Sequence, residues 1–76
     1  MNKQRRKEIE EITVQMQDLR ERLESVMDEE QDSYDNLPES FQNGERGETM
    51  QEAIDNLSSA LDSIDEALDY AQSAIE

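Results

Sequence analysis

Apolar residues recur every three or four positions along most of the chain, with charged and amide side chains between them. In the first half, Ile9, Ile12, Met16, Leu19, Leu23 and Val26 alternate spacings of three and four. With Ile9 at heptad position a, Met16 and Leu23 also fall at a, and Ile12, Leu19 and Val26 fall at d. That seven-residue repeat is the pattern of helices packed side by side. The seam then weakens. Glu30 falls at a and Ser33 at d, Met27 and Tyr34 take the flanking e position, and Leu37 returns at a. The second half is more regular, through Met50, Ile54, Leu57, Leu61, Ile64, Leu68, Ala71 and Ile75. With Ile54 at a, the d residues are Met50, Leu57, Ile64 and Ala71. Ala53, Ala60, Ala67 and Ala74 repeat at g, and Asp55, Asp62 and Asp69 fall at b, facing solvent.

This pattern predicts a first helix over about 3–35, a connector over 36–47 and a second helix over about 48–74, all in one domain spanning 1–76. Pro38 disfavours helix at Leu37 and suits a first helical position; Asn36 is placed to cap a short turn starting there. Asn43, Gly44 and Gly47 permit left-handed backbone, a stop signal. Thr49 to Glu52 matches a capping box at the start of the second helix. Phe41 and Leu37 are expected to fold over the open end of the seam, near Met50 and Tyr34. A connector of about a dozen residues cannot run back along either helix, so the two must lie antiparallel. The expected fold is all-α, an antiparallel two-helix hairpin with a heptad seam. The apolar stripe is wider than one partner helix can cover, with g occupied by Ala in the second helix and e by Met27 and Tyr34 in the first. That excess predicts a homodimer forming a four-helix bundle.

Charge adds a polarity. The 76 residues carry a formal net charge of −14. Lys3, Arg5, Arg6 and Lys7 cluster at the start, while no basic residue occurs from Glu48 onward. The antiparallel arrangement is expected to bring the basic start beside Asp69, Glu76 and the negative end of the second helix. Net negative charge opposes direct binding of nucleic acid. No run is apolar for long enough to span a bilayer, and the basic start leads into Glu8, Glu10 and Glu11 rather than into an apolar segment, so no secretion signal is expected. A cytoplasmic location without membrane association is the corresponding expectation.

Candidate chemistry is sparse. Cysteine and histidine are absent, which removes disulfides, thiolates, the usual zinc ligands and the commonest general base. Residues 28–39 place oxygen ligands at positions 1, 3, 5, 9 and 12 of a calcium-loop pattern. Ser33 nevertheless stands where the loop needs glycine, Asp35 where it needs an apolar residue, and Pro38 near its end. A solvated acidic helix end is the better reading. No phosphate-binding loop or nucleophile motif occurs, so no enzyme activity, cofactor or metal is expected. The connector has the most chemical variety, and Tyr34, Asp35, Asn36, Leu37, Pro38, Glu39, Phe41 and Arg46 are the candidate partner-binding residues. The favoured function is an acidic helical interaction module that self-associates and binds another protein. The alternative is an inhibitor that imitates nucleic acid and occupies a basic host protein.

The segment from Asp28 through Tyr34-Asp-Asn-Leu-Pro-Glu-Ser40 to Gln42, followed by Glu45-Arg-Gly-Glu48 and Met50-Gln-Glu52, resembles small acidic proteins of phages and mobile elements of Gram-positive gut bacteria. Phe41, where leucine is usual, and Gly44 depart from that pattern. The resemblance implies a setting in mobile elements, which favours the inhibitor alternative, and it implies no activity.

Overall fold

The computed structural model describes all 76 residues. It is all-α, with α1 at Lys3–Asp35, a one-turn α2 at Glu39–Gln42 and α3 at Glu45–Ala74. α1 and α3 pack along each other as an antiparallel pair, and α2 packs on α3. The rod measures 58 × 15 × 12 Å.

α1 begins with Asn2, whose side-chain oxygen accepts the Arg5 N–H at 2.8 Å. The first turn of α1 has no acidic residue, and its cations are unfavourable beside the positive end of the helix. The Asn2 cap therefore supplies the needed acceptor. At the other end Asn36 is the C-cap of α1; its N–H donates to the Asp32 carbonyl, and the following N–H, of Leu37, donates to the Tyr34 carbonyl. It does not cap the following turn. Pro38 holds that position, with no side-chain hydrogen bond.

α3 starts at Glu45, three residues ahead of the expected Glu48, so Arg46 lies in its first turn. The expected capping box is absent: Thr49 lies inside the helix, and its hydroxyl donates back to the Glu45 carbonyl. No glycine has positive φ, so neither Gly44 nor Gly47 acts as a left-handed stop. Gly44 is the extended N-cap of α3. Gly47 is buried in the first turn of α3, where a β-carbon would overlap the Gln42 carbonyl group. Its value is close approach, which lets α2 lie against α3.

The seam of α3 follows its a and d files as the repeat predicts, with Leu61 4% and Leu68 7% exposed. α1 does not follow a and d. Its covered residues Ile9, Thr13, Met16, Arg20, Leu23, Met27, Glu30 and Tyr34, continued by Leu37 just beyond the helix, lie on files a and e, and only Glu24, which pairs with Arg20, is half-covered outside them. The d residues Ile12, Leu19 and Val26 remain 46%, 55% and 51% exposed. The rotation has identifiable causes. Near the connector, e supplies Met27 and Tyr34 whereas d offers Ser33. In the middle, e supplies Arg20, which reaches across to Asp65. Thr13 tolerates burial because its hydroxyl donates to the Glu10 carbonyl at 2.8 Å. Successive files keep a fixed angular order around a continuous helix, so with a and e on the seam Ile12 and Leu19 turn away, although each is more apolar than Thr13 or Arg20.

The pairing also sets the ends. Arg20 lies opposite Asp65, and at equal rise per residue Glu76 lies opposite about residue 9. The first two turns of α1 therefore extend past Glu76 by roughly 9 Å. Lys3, Arg5, Arg6 and Lys7 lie on this overhang and form no salt bridge, in contrast to the expected pairing with Asp69 and Glu76. The 33 residues of α1 span about 50 Å. The start of α3 adds roughly 7 Å at the connector end, which accounts for the long axis.

Candidate functional site

The connector brings several of the predicted site residues together at one end of the rod. Tyr34 and Leu37 are half-buried there, and the Leu37 N–H donates to the Tyr34 carbonyl at 3.0 Å. The Pro38 carbonyl accepts from Phe41 at 2.9 Å and from Gln42 at 3.1 Å, closing the turn of α2. Asp35, Asn36, Pro38 and Glu39 are exposed, and Asp35 accepts from the Gln31 amide. Phe41 is 51% exposed, so it does not close over the seam as expected, whereas Leu37 is half-covered. Arg46 is exposed on α3 and makes no ion pair. Two residues missed by sequence reasoning tie this end together. Gln42 donates its side-chain amide to the Tyr34 carbonyl at 2.9 Å, and buried Gly47 admits α2. A Gly beside Arg46 inside a continuous run of helix formers is the signal that could have exposed the second.

The calcium-loop pattern does not form a loop. Residues 28–35 belong to the last turns of α1, which disperses their carboxylates around the helix. No cluster of three or more potential metal ligands occurs. All acids except Glu24, Glu30 and Asp65 are exposed.

Two opposite faces of the rod differ in chemistry. On one, Arg20 donates to Asp65 through Nε at 2.5 Å and Nη2 at 3.0 Å, and to Glu24 through Nη1 at 2.6 Å. The hydrogen bonds that Arg20 donates to Asp65, and next the one to Glu24, push the guanidinium pKa above its already high ordinary value. Arg20 is thus a fixed cation that pins the register of the two helices.

The other face is apolar. At about 100° per residue, the d file of α1 lies roughly 80° from the centre of its a/e seam, and the g file of α3 roughly 90° from the centre of its a/d seam. Because the helices run in opposite directions, these offsets turn both files to the same side. The e residues Arg20 and Asp65 turn to the other side and meet there. Ile12, Leu19 and Val26 therefore share one face with the Ala53–Ala74 file. Ala53, Ala67 and Ala74 are exposed, and Ala60 is half-covered. Tyr70, one position around from Ala67 and Ala74, is an exposed aromatic at the rim. A shallow groove beside this face is lined by Leu19, Leu23, Val26, Arg22, Ser25 and Glu29.

No protein-family pattern, curated protein or solved structure matches the chain. No helix is long and apolar enough to cross a membrane.

Proposed function

We propose that the chain is a non-enzymatic, acidic helical interaction module that self-associates and binds another protein. One observation carries this reading: a hairpin with four buried residues among 76 leaves Ile12, Leu19 and Val26 half-exposed in one file. Small domains with so little core are marginal alone and gain stability by association. Covering the exposed file with further helices turns the hairpin into half of a four-helix bundle. The connector end, with Tyr34, Leu37, Pro38 and Phe41, then remains accessible as the surface for a different protein. Sedimentation equilibrium over a wide concentration range tests self-association, and a monomer mass throughout refutes it. Capture from a host lysate with wild type and Phe41→Ala tests the connector. Capture that is specific to wild type, with unchanged helix content in the variant, supports it.

A second reading is favoured by the exposure of nearly all acids along a 58 Å rod. Such a surface suits a basic groove, as expected of a mobile-element inhibitor that imitates nucleic acid and blocks a basic host protein. Its signature is capture of a DNA- or RNA-binding protein with an affinity that falls steeply as salt rises. Salt-insensitive capture favours the connector instead.

A further inference from the structure

The apolar face is unpartnered in the hairpin, and the distribution of charge along the rod identifies its occupant. The face is built from Ile12, Leu19 and Val26 of α1 and Ala60, Ala67 and Ala74 of α3. Its two files have nearly the same centre. With Arg20 opposite Asp65, Leu19 is level with about residue 66, next to Ala67. The d file is bulky and the g file is small, so a second copy turned over onto this face can stack α1 on α1 and α3 on α3. The alanines then allow the α3 pair to approach closely.

Charge decides the direction. One end of α1 carries Lys3, Arg5, Arg6 and Lys7, all exposed and unpaired. The other end carries Asp28, Glu29, Glu30, Asp32 and Asp35, none of them in an ion pair. Two copies with the same direction put basic end beside basic end and acidic end beside acidic end. Two copies in opposite directions, with their centres at Leu19, lay residues 3–7 of one copy level with residues 31–35 of the other. Arg5 continues the d file, on the covered face.

We propose that the occupant is a second copy of this chain, bound antiparallel about a two-fold axis that passes near Leu19 and Ala67. The proposal rests on the self-association reading and adds its geometry.

The chain has no cysteine, so a single nitroxide label is placed at Gln4→Cys. Gln4 is exposed, neutral and turned away from the apolar face. In the antiparallel pair the two labels lie on opposite sides of Leu19, about 45 Å apart along the rod. In a same-direction pair they lie at one level, separated by only the width of the bundle. Pulsed electron-spin distance measurement on the full chain, with sedimentation on the same sample, separates the outcomes. A dimer mass with the long distance supports the proposal. A dimer mass with a short distance overturns the antiparallel geometry and leaves self-association standing. A monomer mass with no intermolecular distance overturns both. Leu19→Glu supplies a second check: dissociation to helical monomers is expected, and an undiminished dimer locates the interface elsewhere.

Discussion

Gly47→Ala distinguishes the packing of the connector from helix propensity because the two predict opposite signs. Position 47 lies inside α3 with no positive φ, so propensity alone favours alanine by about 1 kcal/mol. The structure opposes it. A β-carbon at 47 falls within the Gln42 backbone, touching its carbonyl oxygen, carbonyl carbon and Cα. These are main-chain atoms, so relief requires α2 to shift as a unit. Overpacking of this kind costs about 1–3 kcal/mol. The shift also endangers the Gln42–Tyr34 hydrogen bond, worth about 1 kcal/mol. The net expectation is a loss of about 1–3 kcal/mol. For a chain whose total stability is roughly 4–11 kcal/mol at the usual value per residue, that is a large fraction. Gly44→Ser is the matched control. The nearest atoms to a β-carbon there are at 3.5 and 3.7 Å, ordinary contact distances, and serine can cap an α3 that has no side-chain cap. It should raise stability by a few tenths of a kcal/mol. Circular dichroism melts at one fixed protein concentration read both variants, the fixed concentration being needed because association shifts apparent stability. At about 4–8 °C per kcal/mol, Gly47→Ala should lower Tm by at least about 4 °C. An unchanged or higher Tm for Gly47→Ala, beside the expected behaviour of Gly44→Ser, would refute the packing of α2 on α3.

Other substitutions probe the remaining packing. Leu61→Ala, at the most covered side chain, should cost about 2–5 kcal/mol and lower the urea midpoint sharply; a loss below about 1 kcal/mol would contradict the α3 seam. Asn2→Ala should remove about 0.5–2 kcal/mol from the first turn of α1, but because that turn overhangs α3, the loss should show as faster amide exchange over residues 3–8 with little change in global Tm. Arg20→Met and Asp65→Asn, combined in a double-mutant cycle, should be less damaging together than the sum of the single changes, with the coupling shrinking as salt rises; additive effects at low salt would break the assigned register.

The all-α character and the seam of α3 were legible because the second half of the chain repeats one pattern with few competing apolar residues. The rotation of α1 was less legible because three of its files carry apolar side chains. File d is stronger near Ile12 and Leu19, and file e is stronger near Met27 and Tyr34. Counting apolar residues favours d. The outcome depends on Arg20 reaching Asp65 and on the Tyr34 end meeting Gln42, both pairings across the fold that spacing within one helix does not express. Gly47 was misread for a related reason: a glycine that permits close approach and one that permits positive φ look alike in sequence. At the connector, residues 34–39 were recognisable as a turn from Pro38 and Asn36, whereas the exposure of Phe41 depended on how α2 lies on α3.

In the dimer proposed above, the rotated seam also determines how separable folding and assembly are. Residues at d of α1, such as Leu19, lie half-exposed outside the seam, so they can vary with such an assembly at little cost to the hairpin. Leu61 and Leu68 of α3 lie on the opposite side of the seam and answer only to folding. Met16 and Leu23, at a, border both surfaces. A change there alters the hairpin and its partner contacts together, so selection cannot tune one without the other. The slowest-changing positions of such a rod should therefore be the half-covered a residues of α1, ahead of its most covered side chains, Leu61 and Leu68.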